Sequence, residues 1–456
     1  MRALQFAAFI VLVGAAAASL STSADEVEVG TLYYTNATDP SAVCLDGSSG
    51  AFYHWSATNP AYANRWVIYL QGGGACNSPE QCYERSKTPL GSSKFAPPTA
   101  SSALLKGAMS RNCTLNPEFC QYNLVTVAYC DGYLWSGERD VPLVYNNTNL
   151  YLRGGPIRRA VYTTLAQEVP AFTAATDVLL VGCSAGGYGT ILHLDDSVAR
   201  VRAVAPNVQR LKAAPFSGLF LEQPNVQGID GFKFGAQKMA PIANYTPGLS
   251  KRCTASLPES MKWMCVFGEV VLASLGQVPL FVINSKTDLW QITCILLGST
   301  SSSNSCMGAL NYAQTQCALA NFTSCTLEQF FPIDSYAQAF LNRVADIDTF
   351  KRDGNGAFIS SCYTHCEAMF DETWGGVIID GVSLQQATLA WWQDLVPAPA
   401  LTRTSIDCTR PLASPYTCNP TCPVRTTPAP WVHVGNLTHD DVEAADGAGF
   451  VSAGRL

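Results

Sequence analysis

Gly182-Cys183-Ser184-Ala185-Gly186 stands between the apolar run Val178-Leu179-Leu180-Val181 and a helix-compatible stretch from Tyr188 to about Asp196. A G-x-S-x-G pentapeptide alone arises by chance. A strand before it and a helix after it give it structural meaning, because the serine must then occupy a sharp strand-to-helix turn. Glycines on either side keep side chains out of the neighbouring backbone. The hydroxyl is lifted above a sheet edge, at a helix N-terminus that favours developing negative charge.

A nucleophilic serine needs a base, and the base needs an orienting carboxylate. Of five histidines, His365 is the best base, because the short apolar run at Phe358-Ile359 gives way to polar, cysteine-flanked residues around it. His54 comes too early, His193 lies nine residues beyond the serine on the same helix, and His433 and His439 fall in a Pro-rich tail. Those four are read as surface or packing residues. Pro279 to Asn284 has the pattern of a buried strand and leads into Ser285-Lys286-Thr287-Asp288. Asp288 is thus the strand-end acid, with capping of the next turn as its alternative role. The order Ser184, Asp288, His365 is that of α/β-hydrolases.

Acyl transfer also needs backbone donors for a tetrahedral oxyanion. Val67-Ile68-Tyr69-Leu70-Gln71 runs into Gly72-Gly73-Gly74-Ala75-Cys76, a strand followed by a glycine loop. The candidate oxyanion donors are the N–H groups of Gly74, Ala75 and Ala185. A phosphate-cradling loop is disfavoured, since no Lys-Ser/Thr follows the glycines.

Six ordered segments then match a known pattern: Tyr69 to Gly74, Tyr129-Cys130-Asp131-Gly132, Trp135-Ser136-Gly137, Gly182 to Gly187, Asn284 to Ile292, and Ser361 to Cys366. Together they resemble the pectin acetylesterase/Notum family of serine carboxylesterases. The resemblance implies an α/β-hydrolase fold with a mostly parallel central sheet, helices on both faces, inserted loops and many disulfides. It also implies secretion and hydrolysis of a carboxylic ester by Ser184, Asp288 and His365, with Gly74, Ala75 and Ala185 as the oxyanion donors. Tyr133 and Trp135 are candidate substrate contacts. One departure stands out: the family usually has a tryptophan after the three glycines, where this chain has Ala75. That change keeps the backbone donor and alters a pocket wall. Cys183, Asp131-Gly132 and Cys366 resemble the plant-type pectin acetylesterases, whereas Trp135-Ser136-Gly137 is closer to the animal Notum members. The expectation is removal of O-acetyl groups from cell-wall pectin. Removal of a long, palmitoleoyl-like chain from a protein is the alternative, and a non-catalytic carbohydrate-binding protein on a hydrolase fold is the reading from another class.

Residues 1–24 have the charge, apolar core and small-residue exit of a signal peptide, and no later segment is long and apolar enough to span a bilayer. In an exported chain, eighteen cysteines read as disulfides. Cys76 with Cys82 and Cys113 with Cys120 are plausible local staples, and Cys306, Cys317 and Cys325 form a cluster. Cys183 is left open between a buried thiol and half of a bridge. A zinc site at Cys362, His365 and Cys366 is disfavoured, because it lacks a fourth ligand. Six Asn-x-Ser/Thr sequons, at Asn36, Asn112, Asn146, Asn244, Asn321 and Asn436, fit passage through a glycosylating compartment. A net charge of −7 argues against nucleic-acid partners. It would also repel de-esterified pectin unless local cations, such as Arg85, Lys87 and Arg139, offset it. No cofactor or metal is implied, and a monomer is expected. Residues 25–396 read as one catalytic domain and 397–456 as a Pro/Thr-rich extension. Strands are expected near 66–71, 123–128, 178–183 and 279–284, and helices over Arg158 to Val169 and Gln385 to Leu395. Inserted helices are expected between Ser217 and Leu275.

Overall fold

The computed structural model describes residues 28–298, 325–395, 404–406 and 419–423. Residues 1–24, His433, His439, Asn321, Asn436, Cys306, Cys317, Cys408 and Cys418 lie outside them. The described residues hold fourteen strands: β1 (Val29–Tyr34), β2 (Ala51–Trp55), β3 (Arg65–Leu70), β4 (Thr99–Ser101), β5 (Asn123–Val127), β6 (Leu143–Tyr145), β7 (Thr148–Leu150), β8 (Asp177–Cys183), β9 (Arg210–Phe216), β10 (Phe281–Ser285), β11 (Gly356–Ser360), β12 (Ile378–Ile379), β13 (Val382–Ser383) and β14 (Thr404–Ile406). Ten of them form one sheet in the order β14-β11-β10-β9-β8-β3-β5-β2-β1-β4. From β14 to β5 every pairing is parallel; β5-β2, β2-β1 and β1-β4 are antiparallel.

The apolar runs are continuous because both sheet faces are covered. Alternate residues still divide between two cores. Val178 and Leu180 of β8 join Ile68, Leu211 and Val282 on one side. Leu179 and Val181 join Tyr69, Phe216 and Phe281 on the other. The helix Gly154–Glu168 buries Ile157, Val161 and Leu165 in the first core. The helix Leu384–Trp392 buries Trp391 and Trp392 in the second, entered through a capping box in which Ser383 and Gln386 bond reciprocally.

The parallel register aligns the carboxyl ends of five strands, β3, β8, β9, β10 and β11. Leu70 pairs with Gly182, Cys183 with Phe216, and Ser285 with Ser360. The glycine loop, Ser184, Asp288 and His365 all leave the sheet from this one edge, where open parallel sheets place ligands.

One sequence expectation needs correction. The helix after the serine begins at once, over Ala185–Leu192, and breaks at His193 before a second helix, Leu194–Val204. Asp195 and Asp196 lie in the first turn of the second helix, where acids complement the dipole. Beyond residue 396, where a Pro/Thr-rich extension is expected, β14 adds to β11, and Cys422 is bonded to Cys362. Both segments therefore belong to the hydrolase body. A three-residue edge strand reading Thr-Ser-Ile is too short to show a period in sequence.

Six disulfides join described residues. Cys76–Cys82, Cys113–Cys120 and Cys253–Cys265 are local; Cys44–Cys130, Cys183–Cys366 and Cys362–Cys422 are long-range. Asn36, Asn112, Asn146 and Asn244 are exposed. No described helix is long and apolar enough to cross a membrane.

Candidate active site

Ser184 sits at φ 58° and ψ −124°, a conformation that non-glycine residues adopt only under constraint. Its N–H donates to Phe216 O at 3.1 Å and its carbonyl accepts Tyr188 N–H at 2.8 Å. A side chain on Gly186 would run into the Leu70 carbonyl, so glycine is required where the elbow crosses β3. Ser184 is 6 % exposed.

Asp288 and His365 come from adjacent loops that are stitched together. Thr287 Oγ1 donates to Ser361 O at 3.0 Å, Lys286 N to Ser360 O at 2.9 Å and Leu289 N to Thr364 O at 3.1 Å. The result is a 2.8 Å contact between His365 Nδ1 and Asp288 Oδ2, with Asp288 fully buried. Gln291 N–H holds the other carboxylate oxygen at 3.0 Å. An ionised carboxylate only accepts, so Nδ1 carries the proton and Nε2 presents a lone pair. Nε2 is buried and, among the described residues, has no hydrogen-bond partner, Ser184 included. In active sites, contacts between a nucleophile and its base commonly tighten only when substrate binds. What ties His365 to Ser184 is covalent: Cys183, just before Ser184, is bonded to Cys366, just after His365, with Cα atoms 5.7 Å apart. Cys183 is thus half of a bridge. The grouping of Cys183, Cys366 and His365 resembles a metal cluster in position only, since both sulfurs are in that disulfide.

The glycine loop is oriented through its carbonyls. Arg85 Nη2 donates to Gly73 O, and Tyr129 Oη to Gly74 O at 2.8 Å. In a planar trans peptide the N–H points opposite the C=O. Pinning these carbonyls turns the Gly74 and Ala75 N–H groups the other way. Among the described residues neither N–H donates to protein, nor does that of Ala185. All three residues, with Ser184, line one cavity of about 190 Å³.

That cavity is walled by Tyr188, Phe220, Phe232, Val266 and Trp290, and the rings of Phe220 and Trp290 lie 4.6 Å apart, tilted to one another. These residues, mostly from the inserted region, were not singled out in the sequence; nothing in their spacing marks them. Tyr133 and Leu134 also line it. Trp135 does not, contrary to expectation. It is fully buried, donates from Nε1 to Gln71 O at 3.2 Å and packs where a side chain on Gly189 would stand. Left-handed φ at Leu134 and Trp135 turns the indole inward. Beneath the loop, Asp131 accepts Tyr133 N–H at 3.2 Å, and burial pushes its carboxyl up to about 6. Arg85 lines the cavity. Lys87 pairs with Glu84 at 2.9 Å, and Arg139 donates to the Pro241 and Ile242 carbonyls, so both are engaged elsewhere. His54 stacks on Trp66 at 5.2 Å and His193 contacts Ser136 Oγ at 2.9 Å; both are packing residues.

Residues 22–423 match the family described as Pectinacetylesterase. The chain is 28 % identical to "Pectin acetylesterase 5" of Arabidopsis thaliana over 84 % of its own length and 82 % of the relative's. It is 28 % identical to "Palmitoleoyl-protein carboxylesterase NOTUM" of Schmidtea mediterranea, over 77 % of this chain and 60 % of that one. Among solved structures, the Wnt deacylase Notum from Drosophila shares the fold with a TM-score of 0.66, at 23 % identity, covering 87 % of this chain and 99 % of that one. With the family spanning nearly the whole sequence and a mostly parallel sheet carrying a serine elbow, the chain belongs to the pectinacetylesterase family and is a carboxylesterase.

Proposed function

We propose that this chain is a secreted esterase that removes O-acetyl groups from cell-wall pectin through an acyl-enzyme on Ser184. The observation that carries the chemistry is the 2.8 Å His365–Asp288 contact on a loop bonded to the serine's neighbour. His365 Nε2 takes the Ser184 proton as Oγ bonds to the ester carbonyl carbon. Negative charge on the carbonyl oxygen rests on the N–H groups of Gly74, Ala75 and Ala185. Collapse breaks the bond to the sugar oxygen, which leaves as an alcohol with the proton from His365. Water, deprotonated by the same nitrogen, then releases the acid and restores the serine. The acetyl assignment is supported by the greater share of the pectin acetylesterase relative that is matched, 82 % against 60 % for the Notum relative. Secretion is supported by the disulfides and the signal-like N-terminus.

One observation favours a longer acyl group: the aromatic cavity of about 190 Å³ beside Ser184 exceeds what a methyl group fills. Initial rates on p-nitrophenyl esters from acetyl to octanoyl, beside acetate release from acetylated pectin, separate the two. Preference for acetyl with release of acetate is expected; a rising rate with chain length would move the reading to long-chain esters. Ser184→Ala should remove about six powers of ten in kcat, and a loss of a few fold would reject the nucleophile.

A further inference from the structure

A second cavity, about 420 Å³ in volume, lies at the opposite end of the helix that follows Ser184. Leu192 and His193 belong to its wall. Eight residues at the helical rise place it about 12 Å from the serine along the axis. The proposed reaction makes no use of it.

Its lining is cationic in a chain of net charge −7. Arg158, Arg159, Arg200, Lys251 and Arg252 line it with only Asp195 and Asp196 as carboxylates. Asp196 is held by Arg158 at 2.5 Å and Arg200 at 3.0 Å, and Asp195 by Arg252 at 3.5 Å. Glu138 engages Arg159. Even with Glu138 counted, five cations meet three carboxylates, an excess of two positive charges. The donors are also incompletely used. Arg158 is 1 % exposed and its Nε–H has no hydrogen-bond partner among the described residues. Arg200 and Arg252 reach their aspartates through Nε, which leaves the paired Nη groups, the edge that grips a carboxylate in two-pronged fashion.

We infer that this cavity binds the carboxylate of an acidic sugar, a uronate of the same polysaccharide chain that presents its ester to Ser184. The inference rests on the pectin reading above. An acidic protein repels a polyuronate at long range, and a cationic recess on the same molecule offsets that repulsion while selecting chains with free carboxylates.

The Ser184→Ala protein, titrated by calorimetry with trigalacturonate, separates binding from turnover. One binding site is expected. Arg200→Ala with Arg252→Ala should weaken it about tenfold or more, whereas Lys262→Ala, a cation outside the lining that pairs with Glu259, should leave it within about twofold. If the double variant does not fold, Arg252→Glu tests the same point on a side chain 66 % exposed. Absence of binding, affinity unchanged by these substitutions, or equally tight binding of inorganic phosphate would each overturn the assignment. Acetate release from acetylated pectin is read separately. Release without trigalacturonate binding rejects the cavity and leaves the reaction standing; arginine-dependent binding without release rejects the pectin esterase and leaves the site.

Discussion

Replacing both Cys183 and Cys366 by alanine tests whether the bridge between them holds the serine and the base together. Both cysteines are buried, so a single replacement would strand a thiol in the core, and the double variant is the clean perturbation. The cysteines are 183 residues apart; in the chain-entropy description, releasing a loop of that length lowers stability by about 5 kcal/mol at 25 °C. Against a total of about 5–15 kcal/mol, that corresponds to a fall in melting temperature of roughly 5 °C for a chain this long. The Asp288–His365 pair should survive, because Thr287–Ser361, Leu289–Thr364 and Cys362–Cys422 still join its two loops to each other and to the body. What loosens is the position of that pair over Ser184. A displacement near 1 Å costs about a hundredfold in rate, so kcat on p-nitrophenyl acetate should fall by about that factor at a temperature where circular dichroism shows both proteins folded. A melting temperature within about 2 °C of wild type, or kcat within about twofold, would refute the argument.

Asp288→Asn should lower kcat by about 10⁴-fold at neutral pH, with the fold intact by circular dichroism, because the tautomer that frees Nε2 is no longer held; a loss under about tenfold would reassign the acid. Tyr129→Phe removes the donors' restraint at Gly74 O and the acceptor of Leu134 N–H. It should lower kcat roughly tenfold or more while KM for a small ester stays put, and an effect on KM alone would place Tyr129 in substrate binding. Burial pushes the Glu269 carboxyl up from 4.5 to about 7 despite Arg343 at 3.2 Å. The folded chain then holds a proton that the unfolded chain has released, so stability falls as pH rises from about 4.5 through 7. Glu269→Gln should flatten that part of a melting-temperature profile between pH 4 and 8, to which Asp131 adds a slope of the same sign below about 6; an unchanged profile would reject the assignment.

The sheet edge that carries the candidate site was legible in the sequence because each of its members ends a buried parallel strand. Such strands are apolar without interruption, so the expected spans near 66–71, 123–128, 178–183 and 279–284 fall within two residues of β3, β5, β8 and β10. The polar residue after each run is then a candidate for chemistry. Trp135 was misplaced for an equally physical reason: its direction depends on two left-handed residues, Leu134 and Trp135, and composition carries no sign of φ. The cavity wall of Phe220, Phe232 and Trp290 was hidden because three separate stretches contribute it, and only tertiary packing brings them together.

The Cys183–Cys366 bridge is the instructive case between these extremes. Sequence spacing alone leaves its pairing open, since an even set of cysteines admits many connectivities. Yet a serine and a histidine that exchange a proton must approach to within a few ångströms, and each carries a cysteine as an immediate neighbour. If Ser184 attacks with His365 as its base, Cys183 and Cys366 are forced close, and an oxidising compartment closes the bond. The disulfide is therefore a consequence of the proposed chemistry as much as a staple of the fold. Its presence at the elbow is independent geometric support for pairing this serine with this histidine, which the absent Ser184–His365 hydrogen bond does not itself provide.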